Sequence, residues 1–118
     1  MARDMEILEP GEEIRLQGRA GFDTNYNRGD LTLTDRRLIW ERSFSIDPFG
    51  TQEVIIPLSE ISSCDRDGDA VVLNTKRGQV YLFVDYLPFA ILTRGRRTRE
   101  WIKEINRAIS ATTAEATA

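Results

Sequence analysis

The segment of the sequence with the most chemical interest is an apolar stretch followed at once by arginines. Residues 86–92 read YLPFAIL, and four of the next seven residues are arginines. Apolar side chains beside guanidinium groups are typical of a surface that contacts an anionic bilayer or an acidic groove on a partner. The predicted partner- or membrane-contacting residues are Phe89, Ile91, Leu92, Arg94, Arg96, Arg97 and Arg99. The alternative is a connection that packs over an open edge of a sheet, with the arginines solvated beside it.

Catalysis is disfavoured, because the sequence contains no His residue. This absence excludes the commonest general base, the Ser-His and Cys-His nucleophile systems and every His-containing zinc site. The Asp-rich turn at 65–69 lacks the Gly and Glu positions of a calcium loop, and TKRG at 75–78 lacks the Gly-rich approach of a phosphate-binding loop. We therefore predict no catalytic, cofactor or metal site and a protein that is not an enzyme. A carboxylate-based hydrolase is a remote alternative, whose sign would be a deep pocket with two convergent acids.

Cys64 is the only cysteine, so the chain cannot form an internal disulfide. With no His to activate the thiol, we predict a buried core residue rather than a nucleophile. The start MARDMEILEP lacks the apolar run of a signal peptide, and the longest apolar-rich stretch, residues 80–92, is too short to span a bilayer. We expect a cytoplasmic protein, with a peripheral membrane location as the alternative.

Length and composition indicate one globular domain. The chain has 118 residues, of which 41% are hydrophobic and 30% charged, and its net charge is −3. This length suits a single hydrophobic core, and an acidic balance disfavours nucleic-acid binding. We predict one domain over residues 1–110 and a flexible tail over 111–118, where ATTAEATA has no large apolar residue to anchor it.

Alternation of apolar and polar residues dominates the chain before residue 85 and predicts half-buried strands separated by turns. Residues 58–64 fit either a short strand or one helical turn. After Thr98, a candidate N-cap, apolar residues follow helical spacing instead. The side chains expected in the core are Leu16, Leu33, Leu38, Trp40, Val72 and Leu82 on strands and Trp101, Ile105 and Ile109 on the helix. The pattern predicts six or seven antiparallel strands followed by one C-terminal helix.

Four stretches of the sequence carry a resemblance to a known family. They are LEPGEE at 8–13, GDLTLTDRRLIW at 29–40, IPLSEI at 56–61 and TKRG at 75–78. In their order and spacing they resemble GRAM-type and bacterial pleckstrin-homology-like (PH-like) domains. The resemblance implies a mainly β fold, a PH-like barrel or sandwich of about seven antiparallel strands capped by a helix. It also implies a non-catalytic binding or scaffolding module without a cofactor.

The resemblance leaves the partner open between two classes. Some PH domains bind phosphoinositides through a basic pattern on the first two strands, which Arg19 and Arg28 could begin, but Asp30 occupies the place of the final Arg. We therefore rank protein–protein contact or self-assembly first, with a protein partner or a homo-oligomer. A peripheral membrane module that contacts anionic lipid is the alternative, and no nucleic-acid partner is expected.

Overall fold

The computed structural model describes residues 8–23, 28–42, 52–68, 70–84 and 94–117. These residues contain seven strands, one short 3-10 turn and one long helix. In chain order the elements are β1 (Ile14–Phe22), β2 (Arg28–Thr34), β3 (Arg37–Arg42), β4 (Gln52–Pro57), the 3-10 turn (Leu58–Glu60), β5 (Ile61–Asp67), β6 (Ala70–Thr75), β7 (Gly78–Val84) and α1 (Arg94–Thr117).

The strands form one antiparallel sheet in the order β4-β3-β2-β1-β7-β6-β5. β1 joins the two halves, because it pairs with β2 along most of its length and with β7 through its last three residues, Ala20 to Phe22. β4 and β5 are consequently the two edge strands. The predicted antiparallel strands followed by a C-terminal helix are confirmed.

Local sequence explains where strands end. Pro57 is the last residue of β4 and lies at a position that makes no hydrogen bond to β3, so the ladder tolerates its missing N–H, and the 3-10 turn and β5 follow directly. Residues 58–64 thus contain both structures that the sequence left open, a helical turn and then a strand. Gly78 begins β7 with a φ of +126°, a conformation that side chains other than glycine rarely adopt.

The core lies between the sheet and α1 and contains both tryptophans. Trp40 donates its indole N–H to the Ala20 carbonyl at 2.9 Å. Trp101 packs over Gly18, where an added Cβ would lie 3.3 Å from the indole ring. A residue without a side chain in β1 therefore makes room for the largest side chain of the helix.

Most of the predicted core is confirmed. The fully or nearly fully buried members are Leu33, Leu38, Trp40, Leu82, Trp101 and Ile105, and Leu16 and Ile109 pack against them in part. Val72 is buried, but it lies outside the central cluster, which contains its neighbours Val71 and Leu73. Alternate residues of a strand point to opposite faces, so the prediction chose the wrong face of β6.

The helix is longer than predicted at both ends. It begins at Arg94, and Thr98, the expected cap, is fully buried within it. It continues to Thr117, and the alanines near its end have the highest helix propensity. The flexibility of residues 111–118 stays a prediction. The domain limit at residue 110 stays a prediction. Among the described residues, no helix is both long and apolar enough to cross a bilayer.

Candidate binding surfaces

The contact site predicted from the sequence is described only in part. Phe89, Ile91 and Leu92 lie outside the described residues. The apolar half of that prediction therefore stays a prediction, and only its arginines can be placed.

Those arginines all lie in the first two turns of α1. Arg94 and Arg96 are helical in their backbone, and Arg97 and Arg99 are exposed. Arg97 Nη1 lies 3.5 Å from Glu100 Oε1, an exposed pair that contributes little binding energy of its own. The N-terminal end of a helix carries a partial positive charge, so arginines there add to a potential that already attracts anions.

The basic pattern expected on the first two strands is interrupted in the structure as it is in the sequence. Arg19 on β1 lies directly opposite Asp30 on β2. Oppositely charged side chains at facing positions attract each other, so Asp30 reduces the positive potential that a phosphorylated headgroup would need. The described part of β1 and β2 does not favour a phosphoinositide site.

A buried polar network, which the sequence analysis did not predict, joins the segment before β1 to the β2–β3 turn. Both Glu12 carboxylate oxygens accept hydrogen bonds from the Arg37 guanidinium at 2.9 Å, and Oε2 also accepts one from the Thr34 hydroxyl at 2.6 Å. The Glu9 N–H donates to Oε1 at 2.9 Å. Burial alone would raise the pKa of Glu12, but these hydrogen bonds outweigh it and lower the pKa to about 2.

The four stretches that carry the family resemblance touch one another. Besides the Glu12 network, three backbone hydrogen bonds of 3.0 Å link them in series: Asp35 to Glu13, Leu58 to Arg36 and Lys76 to Glu60. Their shared role in this chain is therefore to fix the turns around one end of the sheet. No short-range pattern pairs Glu12 with Arg37, since the two residues are 25 positions apart.

At the β5 edge of the sheet, a side chain from α1 occupies the outward backbone groups. The Asn106 amide accepts a hydrogen bond from the Cys64 N–H at 3.1 Å and donates one to the Cys64 carbonyl at 2.9 Å. Asn106 thus takes the place of a neighbouring strand. Cys64 is 2% exposed, and burial, with a smaller contribution from Asp65, raises the pKa of its thiol to about 12. The prediction of a buried Cys64 is confirmed.

The β4 edge has a different arrangement, which follows from one hydrogen bond. The Leu58 N–H donates to the Arg36 carbonyl at 3.0 Å, and the ladder continues without a bulge through Gln52. Bonded and non-bonded pairs alternate along an antiparallel ladder. Ile56 and Val54 consequently exchange hydrogen bonds with β3.

It follows that Glu53 and Ile55 point their N–H and C=O groups away from β3, toward the outer edge of β4. Among the residues that the structure describes, none provides a hydrogen-bond partner for these groups. The backbone of Pro57 is oriented in the same direction, but proline has no N–H, so only its carbonyl is offered at this edge. We call this edge, from Glu53 to Pro57, the open edge.

The side chains beside the open edge are apolar at their centre. Ile55 is 42% exposed and lies opposite the buried Ile39 on β3, on the face of the sheet away from the central cluster. Most singly exposed isoleucines need no explanation. Here the exposure coincides with unpaired backbone groups, the combination that an added strand would cover.

A cleft of about 230 Å³ lies between α1, the start of β1 and the β2–β3 turn. Its lining residues are Arg15, Asp35, Glu104, Arg107, Ala108 and Ala111. Asp35 accepts the Glu13 N–H at 3.1 Å, and Glu104 Oε2 lies 3.3 Å from Arg107 Nη1. Both acids are already engaged within the chain, so the cleft gives no support to the carboxylate-based hydrolase that we kept as a remote alternative.

Comparisons with known proteins support the fold. No protein-family model and no curated protein sequence matches this chain. The chain is similar in structure to the N-terminal PH domain of Vps36, with a TM-score of 0.63, 16% identity and coverage of 92% of this chain and 86% of that chain. It is also similar to the C-terminal domain of an unknown protein from Leishmania infantum, with a TM-score of 0.54, 13% identity and coverage of 88% and 90%. The fold is therefore PH-like.

Proposed function

We propose that this chain is a non-catalytic interaction module that binds a protein partner by adding an extended strand to the open edge of β4. The observation that supports the proposal is the set of outward N–H and C=O groups on Glu53 and Ile55 beside an exposed isoleucine. In strand addition, main-chain hydrogen bonds supply affinity and alternate side chains supply specificity. The PH-like fold, which commonly serves binding, agrees with this role.

The opposite edge is less suited to this role at its centre. Asn106 already satisfies the Cys64 backbone at β5, so an incoming strand would have to displace a side chain that makes two hydrogen bonds. At β4 an incoming strand would displace no hydrogen bond made by the described residues.

A peptide selection tests this proposal. Random extended peptides are selected on the full chain and then measured against Ile55→Pro, which removes an outward N–H that β3 does not use. We expect the selected peptides to bind the original chain and to lose binding in the variant. Ile14→Lys, which changes a side chain on β1 that is 39% exposed, is the matched control and should bind like the original. Equal binding by Ile55→Pro would contradict the proposal.

A second candidate function rests on the start of α1. Because the helix begins at Arg94, all four predicted arginines lie at its positively polarised end. We propose contact with anionic lipid as the alternative role, to which each base near the surface would contribute about 1 kcal/mol. We expect a cytoplasmic location in either case. GRAM-type membership stays a prediction from the sequence.

Vesicle co-sedimentation distinguishes the two roles. The lipid candidate predicts binding that rises with phosphatidylserine content, falls with salt and disappears in Arg96→Glu, Arg97→Glu. The control, Lys76→Glu, Arg77→Glu on the β6–β7 turn, makes the same charge change away from α1. Binding that both double variants lose equally, or no binding at all, would count against the lipid candidate and leave the strand-addition proposal unaffected.

A further inference from the structure

We propose that the occupant of the open edge is a second copy of this chain, paired antiparallel through β4 about a two-fold axis at Ile55. This inference rests on the proposed function and specifies its partner. The backbone groups, the side chains and the charges at the open edge support it.

The backbone groups fit this pairing. Ile55 of each copy would exchange N–H and C=O hydrogen bonds with Ile55 of the other. The Glu53 N–H of each copy would donate to the Pro57 carbonyl of the second copy. Pro57 has no N–H to leave unsatisfied, so every outward donor of the open edge finds an acceptor in this register.

The side chains distinguish this register from its neighbours. With the axis at Ile55, the two exposed isoleucines face each other and cover apolar surface that is exposed in the single chain. Moving the axis to Val54 would place Glu53 opposite Ile55, and moving it to Glu53 would place two carboxylates opposite each other. Of these three registers, the one at Ile55 alone places the exposed isoleucines opposite each other and Glu53 opposite Pro57 rather than opposite Ile55 or a second Glu53.

The charges on the outer face are compatible with the same register. Asp30, Glu41 and Glu53 occupy facing positions on three adjacent strands and form one acidic row that ends at the open edge. In the paired sheet this row continues into the uncharged Pro57 of the second copy and then into its Arg37, whose guanidinium is held by Glu12. The acidic rows of the two copies are about 13 Å apart along the strands, so neither faces the other across the axis.

Sedimentation velocity on the full chain over a range of concentrations tests the pairing. We expect a weak monomer–dimer equilibrium, because one strand pair covers far less than the ~1,600 Å² of a standard interface. Ile55→Pro should raise the dissociation constant by roughly a hundredfold or more, since it removes the central hydrogen bonds. Ile14→Lys should dimerise like the original chain. A chain that stays monomeric at every concentration overturns the proposal.

Comparison of two proline variants checks that a loss of dimerisation is not a loss of folding. Val54→Pro removes an N–H that pairs with β3, so it should lower the unfolding temperature, whereas Ile55→Pro should keep it near that of the original. A folded Ile55→Pro that still dimerises as before overturns the proposal.

Cysteine cross-linking then tests the register. Paired Cα atoms at a bonded antiparallel position are about 5.5 Å apart, within disulfide range, so Ile55→Cys should cross-link on mild oxidation. Glu53→Cys should not, because its two copies would be about 13 Å apart along the strands. Cys64 is buried and does not compete. Cross-linking through Glu53→Cys instead overturns the proposed axis.

The outcome also separates this inference from the proposed function. Selected peptides that bind the open edge of a monomeric chain would overturn the dimer and leave strand addition standing. Failure of both peptide binding and dimerisation at the open edge would overturn both.

Discussion

β4 and β5 are both edge strands of one antiparallel sheet, but the surroundings of their outward backbone groups differ. At β5, α1 packs along the strand and Asn106 hydrogen-bonds the Cys64 backbone. At β4, Glu53 and Ile55 direct their backbone groups outward without a partner among the described residues. Among the described residues, α1 therefore covers part of the β5 edge and leaves the β4 edge uncovered.

The two halves of the sheet share one hydrophobic cluster, but only one half has a buried ionic network beside it. Trp101 and Ile105 of α1 belong to a cluster that also contains Leu33, Leu38 and Trp40. The β4 half has in addition the Glu12 network, which fixes the β2–β3 turn by charge-assisted hydrogen bonds. Apolar contact is insensitive to pH, whereas a carboxylate network is lost when its acid is protonated.

The largest effect is expected from Trp101→Ala, which removes the contact that holds α1 on the sheet. Deleting a buried tryptophan typically lowers the free energy of unfolding by about 3–5 kcal/mol. Chemical denaturation measures the loss, and Lys103→Ala on the exposed side of α1 is the control. An unchanged midpoint for Trp101→Ala would show that the covered edge does not depend on this contact.

Glu12→Gln should lower the free energy of unfolding by about 3 kcal/mol, because it removes the carboxylate that the Arg37 guanidinium binds. Its neighbour Glu13 is exposed and makes a long ion pair with Arg15 at 3.7 Å, which contributes little stability. Glu13→Gln is therefore the control and should change the free energy of unfolding by less than about 0.5 kcal/mol. Equal effects of the two substitutions would contradict the role of the network.

The same network predicts a pH dependence confined to the β4 half. The pKa of Glu12 is lowered from 4.5 to about 2, so its contribution is fully present above pH 4.5 and is lost as the pH falls toward 2. Hydrogen exchange should show amides of β3 losing protection through this range before those of β6. In Glu12→Gln this difference should disappear, and its persistence there would assign it to another acid.

A smaller effect is expected at the covered edge from Asn106→Ala. The two lost hydrogen bonds expose the Cys64 backbone and should lower the free energy of unfolding by about 1–2 kcal/mol, partly offset by the higher helix propensity of alanine. Ser110→Ala, at an exposed position of α1, measures that offset alone. A gain in stability for both substitutions would mean that Asn106 does not hold the edge.

The smallest effect is expected from Ile55→Lys. Ile55 is 42% exposed at the open edge, so the substitution should change the stability of the single chain by no more than about 0.5 kcal/mol. A thermal scan at low protein concentration measures this. A large loss would show that Ile55 has a covered environment within the chain, and the two edges would then be alike.

Much of this comparison could be predicted from the sequence, and the reasons for the remainder are physical. Alternation placed Leu33, Leu38 and Trp40 in the core because strand periodicity is a local property. Val72 was assigned to the wrong face because four consecutive apolar residues from Ala70 conceal the alternation. The start of α1 was missed because Arg and Thr fit either a loop or a first helical turn.

Neither edge could be assigned from the sequence. Asn106 and Cys64 are 42 positions apart, and nothing local indicates that an amide on the helix will meet a strand. The direction of the Ile55 backbone groups depends on the pairing of β4 with β3, and a shift of one residue would reverse it. The predicted apolar contact residues, Phe89, Ile91 and Leu92, remain predictions.

The Asn106 contact also limits the stoichiometry of any assembly made through the sheet. A chain with two available edges can extend in both directions and polymerise into a fibre. A chain with one available edge can pair with only one further strand. Because Asn106 occupies the Cys64 position at β5, a strand added there would have to displace it, which favours addition at β4. Where addition is confined to β4, the product is a finite complex of two partners, and growth ends there.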